Sequence, residues 1–328
     1  MPSTDLLSAH SEDRDQRSAG QLPLIVLLGP TAVGKSDIAI YLAGKYNGEI
    51  VSADSRLLYR GMDIGTAKPT LQERMQVPHH LIDVADPDET WSLAMYQKAA
   101  RIAIQEIHGR GHLPILVGGT GQYIHAISED WELPKVEPNP KLRTVLENWA
   151  AEITPEGLYN RLEVLDPVAA SHMDHRNTRR IVRALEVIFT TGVRFSDQRK
   201  KQRSPYNILK LGLIRPRSEL YQRIDDRIQN MIEAGLVLEV QSLLEKNYPP
   251  DSPAFSAIGY REIIQYLHGA ISLEEAISLM KSRTRKFVRR QSNWFKQDET
   301  DIRWFSMEEY VNTQLVAEIR QWMNLSTT

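Results

Sequence analysis

Gly29, Pro30, Thr31, Ala32, Val33, Gly34, Lys35 and Ser36 follow the order G-x-x-x-x-G-K-S. That spacing suits a loop that wraps a phosphate group. Glycines let consecutive backbone N–H groups turn toward phosphate oxygens, and a following helix adds the positive end of its dipole. Lys35 supplies a cation, and the Ser36 hydroxyl supplies a ligand for Mg²⁺. The motif specifies phosphate, not a nucleotide. A nucleotide hydrolase also needs a hydrophobic strand ending in an acid for its metal. Here the apolar run Leu113 to Val117 ends in Gly118-Gly119-Thr120, and Asp83 follows only two apolar residues. Asp54 stands just beyond a second apolar stretch, within reach of the loop's mouth. An acid there holds a metal or takes a proton; an aspartate there also serves as a turn or cap residue. Arg223 and Arg227 lie one helical turn apart. Guanidinium matches phosphate oxygens in a two-pronged fork, so one of them would serve a leaving pyrophosphate. The same pair also reads as surface arginines beside Asp225 and Asp226.

A second chemistry is written in the basic residues. Lys281, Arg283, Arg285, Lys286, Arg289 and Arg290 place six cations within ten residues of an expected helix, with Gln291, Trp294 and Phe295 next. Arg176, Arg179, Arg180 and Arg183 form another cluster at helical spacing. From Ser171 to Arg217 twelve Lys/Arg stand against three Asp/Glu, a local charge of +9 in a chain whose net charge is -2. The remainder therefore carries -11. Such asymmetry points to a polyanion surface on one part of the molecule. Cations so placed neutralise phosphates along an RNA backbone, and an aromatic beside them can stack on a base. His79, His80, His172 and His175 show no metal-ligand spacing. The chain has no cysteine, which excludes disulfides and thiolate zinc sites.

The elements that must position these groups read as α/β. Leu22 to Leu28 is continuously apolar, as in a strand buried on both faces. A helical pattern runs from Lys35 to about Tyr46, and Glu49 to Ala53 and His80 to Val84 read as short strands. Trp91 to His108 reads as a helix, and Leu113 to Val117 as another buried strand. Strands alternating with helices predict a parallel sheet. Near Trp131 the texture changes: Pro134, Pro138 and Pro140 crowd together, and a helical stretch follows to about Gly192. The polar, basic run Arg199 to Arg203 then leads back to a strand at Asn207 to Ile214. Helices are expected at Ser218 to Ala234, Leu236 to Lys246 and Leu273 to Gln297, with an edge strand at Asp301 to Phe305. The expected organisation is a disordered tail (1–20), a P-loop α/β core (21–130 and 205–328) and a helical insertion (131–204). No apolar leader and no 18-residue apolar run is present, so a soluble, cytoplasmic protein is expected, with a monomer as the default state.

From about Leu22 to about Phe305 the chain resembles the bacterial-type tRNA dimethylallyltransferases. The resemblance rests on GPTAVGKS, VSADSRLLYRGMDIGTAKP (Val51 to Pro69), PILVGGTGQY (Pro114 to Tyr123) and RALEVIFTTG (Arg183 to Gly192). It continues through ELYQRIDDRIQNMIEAGL (Glu219 to Leu236), IGYRE (Ile258 to Glu262) and TRKFVRRQSNWF (Thr284 to Phe295). It implies transfer of a five-carbon prenyl group from dimethylallyl diphosphate to N6 of the adenosine immediately 3′ of the anticodon, with release of pyrophosphate. It further implies that the P-loop holds the donor's diphosphate, which accounts for the missing hydrolysis aspartate.

By the same resemblance, Asp54 is the base that accepts the N6 proton. Lys35, the P-loop amides and Arg227 stabilise the diphosphate, with Mg²⁺ near Ser36, and Thr31 lies at the reacting centre. The tRNA anticodon stem-loop is then contacted by Asp54, Ser55, Arg56 and Leu57, by Thr120 and Arg143, and by Arg179, Arg180, Ile181, Val182 and Arg183. Further contacts fall on Ser256, Ala257, Ile258, Gly259, Tyr260 and Arg261. The last segment is Thr284, Arg285, Lys286, Phe287, Val288, Arg289, Arg290 and Gln291. The insertion is expected to grip the anticodon stem-loop, and the target base to leave its stack and enter a channel. The zinc-binding extension of eukaryotic relatives is absent from this cysteine-free chain. Competing readings are an adenylate isopentenyltransferase acting on AMP or ATP, a P-loop nucleotide or RNA kinase, and a non-catalytic RNA-binding protein. The basic helix and the insertion speak against the first, and intact Lys35, Ser36 and Asp54 against the last.

Overall fold

The computed structural model describes residues 21–134, 139–198 and 204–327. The tail 1–20, Pro138 and the basic run Arg199 to Arg203 lie outside the described residues. The chain forms two compact units: one reaches Ser128 and resumes at Ser204, and the other spans Glu129–Arg203.

The larger unit has an α/β architecture. Its first half runs β1 (Leu22–Leu28), α1 (Lys35–Tyr46), β2 (Gly48–Ala53), α2 (Leu71–Gln76), β3 (His79–His80), α3 (Leu93–Gly109), β4 (Leu113–Gly118) and α4 (Gly121–Ser128). Among the described residues the smaller unit holds four helices, α5 (Pro140–Leu165), α6 (Pro167–Ser171), α7 (Thr178–Thr191) and α8 (Phe195–Gln198). The larger unit then adds β5 (Tyr206–Ile214), α9 (Arg217–Glu233), α10 (Leu236–Glu245), a 3₁₀ turn at Pro253–Ser256, α11 (Tyr260–Leu267), α12 (Leu273–Gln291), β6 (Ile302–Ser306) and α13 (Val311–Thr327).

Six strands pair in the order β3-β2-β4-β1-β5-β6, all parallel. β1 lies between β4 and β5, and Leu24 to Leu28 are wholly buried, as its unbroken apolar run required. Helices cover both faces, which gives two apolar layers. Leu42, Ile224 and Leu236 belong to one, and Tyr96, Ile104 and Ile124 to the other. A parallel sheet aligns all its carboxyl ends, so the loops after β1, β2, β4 and β5 emerge on one side, where ligands bind in such folds.

Two expected elements differ. The third strand is two residues long because Leu81 and Asp83 take left-handed φ values of 61° and 57°, which end the extended run expected to Val84. The helix expected to Gln297 stops at Gln291, so Trp294 and Phe295 stand on the turn that follows. The edge strand is present as β6. In the smaller unit α5 is broken at Thr154, where φ is 68°, ahead of Pro155. Among the described residues no helix is long and apolar enough to cross a membrane.

Candidate active site

The loop from Gly29 to Ser36 joins β1 to α1. Gly29 has φ 151°, and a Cβ there would sit 2.7 Å from the Leu213 carbonyl of β5, so the chain can turn here only without a side chain. Gly34 precedes α1 in the left-handed region, and no side chain caps the helix. The first-turn N–H groups are thereby left to a ligand. Lys35 Nζ donates to the carbonyls of Gly29 (2.9 Å) and Pro30 (2.8 Å). Burial pushes its pKa down to about 8, Asp54 opposes that shift, and Arg227 adds to it. Ser36 is exposed at the start of α1.

β2 ends at Ala53, which delivers Asp54 to the same side. Asp54 Oδ1 accepts the Arg56 N–H at 2.9 Å, a turn that leaves the second oxygen unspent. The Ser55 N–H donates to Thr120 Oγ1 (3.2 Å), and the Thr120 N–H donates to the Ala53 carbonyl (3.2 Å). The loops after β2 and β4 are thus stitched together. Arg56 reaches the Pro253 carbonyl (3.0 Å) and Ser256 Oγ (3.1 Å), tying this loop to the 3₁₀ turn.

α9 separates the two arginines that spacing left equivalent. Arg223 is exposed, and its Nε donates to the Ala32 carbonyl (2.8 Å), bracing the P-loop from outside. Arg227 is half-buried, and its guanidinium donates to the Thr66 carbonyl (3.1 Å). Desolvation lowers its pKa while Asp54 raises it. Lys35, Arg227 and Asp54 therefore act on one another electrostatically, and Arg227 and Asp54 line one cavity of about 440 Å³.

Thr31, Asp54, Thr120 and Arg227 line the polar part of that cavity. Ile224, Ile228 and Met231, on the same face of α9 as Arg227, form an apolar wall with Met280 of α12 and Ile258. Thr284, Phe287, Arg290, Gln291 and Trp294 also line it, as do Arg56 and Thr66. Three arginines (Arg56, Arg227 and Arg290), one carboxylate and an apolar wall would accept a molecule with an anionic head and a short hydrocarbon tail.

One residue that gave no signal in the sequence holds the loop Asp63 to Thr66. Glu239 of α10 accepts the N–H groups of Asp63 (2.9 Å), Ile64 (2.7 Å) and Gly65 (3.2 Å), and the Tyr260 hydroxyl at 2.5 Å. Three successive amides on one carboxylate make a filled anion nest. Buried Lys68 adds bonds to Asp63 and Asp83, both at 2.6 Å. The loop so held presents the Thr66 carbonyl to Arg227.

The structure divides the segments expected to touch RNA. Along α12, Met280, Thr284, Phe287 and Gln291 face the cavity. Lys281, Arg285 and Arg289, spaced by four, lie on a different face, around a separate hollow of about 390 Å³ with Tyr221. Arg285 pairs with Asp225 at 2.5 Å and lies 5.2 Å from the Tyr221 ring. Ala257, Tyr260, Val288 and Gln291 are buried, Ala257 and Gln291 against the cavity. In the smaller unit Ile181 and Val182 are buried in its core. Arg179 and Arg180 are exposed. Arg143 and Arg183 share buried Glu186, which accepts Arg143 Nε at 2.9 Å and Arg183 at 2.6 Å. Burial pushes the Glu186 pKa up, but the two guanidiniums and the Asn139 N–H hold it below the ordinary value.

Comparison with known proteins agrees with this geometry. The model of the family described as IPP transferase matches residues 57–298. A tRNA dimethylallyltransferase of Thermomicrobium roseum is 50% identical over 287 residues, covering 88% of this chain and 87% of the relative. One of Roseiflexus sp. is 50% identical over 303 residues, covering 92% and 99%. Among solved structures, a full-length tRNA isopentenylpyrophosphate transferase of Bacillus halodurans superposes with a TM-score of 0.68 at 38% identity, covering 93% of this chain and 99% of that one. A eukaryotic dimethylallyltransferase acting on tRNA superposes with a TM-score of 0.77 at 31% identity, covering 90% and 77%. On this match the chain belongs to the IPP transferase family.

Proposed function

We propose that this chain transfers the dimethylallyl group of dimethylallyl diphosphate to N6 of the adenosine 3′-adjacent to the anticodon in tRNA, releasing pyrophosphate. The observation that carries this reading is that Asp54 and Arg227 line one cavity with an apolar wall, and that both act electrostatically on Lys35 of the loop beside it. The diphosphate sits against the P-loop amides, Lys35 and Arg227. The prenyl tail lies along Ile224, Ile228 and Met231. The N6 lone pair attacks C1 of the prenyl group as the C1–O bond breaks, and the bonding pair leaves with pyrophosphate. The exocyclic amine is a poor nucleophile because its lone pair is delocalised into the ring. Its proton passes to the free oxygen of the Asp54 carboxylate as the new bond forms. The cations meet the charge that grows on the leaving group.

Among the described residues no group of three acidic or histidine side chains could hold a metal. Mg²⁺ commonly rests on substrate phosphates and water with few protein ligands, and Ser36 would be its protein ligand here. When bound it neutralises diphosphate charge. The exposed Arg179 and Arg180 fit a role for the insertion in gripping the anticodon stem-loop.

Removing the charges of Arg285 and Arg289 together is expected to weaken tRNA binding. It should also flatten the dependence of log K on log salt by about 1 to 2, near 0.7 to 0.9 per lost phosphate contact. An unchanged slope would place RNA elsewhere than on this face of α12.

The deciding experiment offers labelled dimethylallyl diphosphate to unmodified tRNA in one reaction and to AMP in another. Label at an adenosine of tRNA alone is expected. Label in AMP alone, or in neither, overturns the reading, and phosphate transfer from ATP would replace it with a kinase.

A further inference from the structure

Gln291 is the last residue of α12 and is only 6% exposed. A buried amide needs partners at both ends. Its Oε1 accepts the Thr31 N–H of the P-loop at 2.9 Å, and its Nε2 donates to the Gly119 carbonyl at 3.1 Å. The amide can stand in only one orientation, because a flip would set donor against donor and acceptor against acceptor. Gly119 makes room for it: a Cβ there would lie 2.3 Å from Nε2. P-loop amides ordinarily turn toward phosphate, yet that of Thr31 is committed to a side chain from the far end of the sequence.

The next links lead across the cavity. Gly119 precedes Thr120, whose Oγ1 takes the N–H of Ser55, the neighbour of Asp54. A continuous path therefore joins the loop that holds the leaving group to the loop that holds the base, and Gln291 is its middle. Group transfer depends on this separation, since a misplacement of about 1 Å can cost about 100-fold in rate.

We propose that Gln291 is a positioning residue that sets the distance between the Thr31 end of the P-loop and the Asp54 loop. It also ties both loops to the helix whose Thr284 and Phe287 line the same cavity. The proposal rests on the transfer reaction above, so wild-type transfer to tRNA is measured first in the same assay; its absence would sink that reading alone.

Gln291→Met keeps the volume and removes both bonds. The expected result is a kcat lower by about 10- to 100-fold, with the tRNA Kd and the KM for dimethylallyl diphosphate moved far less. A tRNA Kd weakened as much as kcat is lowered would make Gln291 an RNA contact, and an unchanged kcat would make the bonds idle; either overturns the proposal. Gly119→Ala pushes on the same amide from the opposite side, so it tests the contact should Gln291→Met fold poorly. It is expected to show the same split. The double variant should be no slower than the worse single variant, whereas additive losses would mean two unrelated defects and overturn the link.

Discussion

Asp54→Ala is expected to lower kcat by about 10²- to 10⁴-fold, the span that positioned proton acceptors contribute. The tRNA Kd should stay within about twofold, because the loss falls on the transition state alone. The alanine also removes the acceptor of the Arg56 N–H, a bond that shapes the loop. Asp54→Asn separates the two effects. An asparagine oxygen still takes that N–H, but the side chain cannot take a proton at neutral pH. Equal losses in both variants identify proton acceptance as the role. A near-normal kcat in Asp54→Asn would leave Asp54 a turn residue, and the proton would then go elsewhere.

Lys35→Met should cut kcat/KM for dimethylallyl diphosphate by about 10²- to 10³-fold, as removal of a preorganised partner of developing charge does elsewhere. The native residue also predicts a pH dependence. With its pKa near 8 in the free enzyme, Lys35 is mostly charged below pH 8 and mostly neutral above it. A bound diphosphate favours the ammonium and so raises that pKa. Donor affinity is therefore complete below pH 8 and falls as pH rises through it. Binding at pH 8.5 takes up a proton, which calorimetry in buffers of different ionisation enthalpy detects. Lys35→Arg should abolish the fall, since guanidinium stays charged throughout. Flat affinity from pH 7 to 9 in the native protein would contradict the burial-driven shift.

The two predictions draw on residues of unequal legibility. The P-loop could be read outright, because its glycines answer to backbone geometry that no other residue meets, as Gly29 against the Leu213 carbonyl shows. Buried strands were equally plain, since β1 is apolar at every position. Asp54 could be placed after a strand, but whether it met Lys35 depended on β4 lying between β1 and β2, and strand order is not written locally. Arg223 and Arg227 were inseparable for a similar reason: one turn of helix fixes a shared face, while burial differs with the loop that packs beside it. The split of α12 into two faces was present in the spacing of Lys281, Arg285 and Arg289 against Thr284, Phe287 and Gln291. Counting cations along the segment hid it. Glu239 left no trace, because three of its partners are backbone amides, which have no residue type.

That carboxylate changes the thermodynamics of substrate entry. Loops with several inward amides often stay mobile until an anion arrives, and the ordering entropy is then subtracted from affinity. Here the chain supplies the anion itself, so the loop that carries Thr66 and steadies Arg227 is ordered at folding. The guanidinium waits in place. Binding energy from the diphosphate and the prenyl tail is then free to act on the transition state, because little of it is consumed in assembling the wall that meets them.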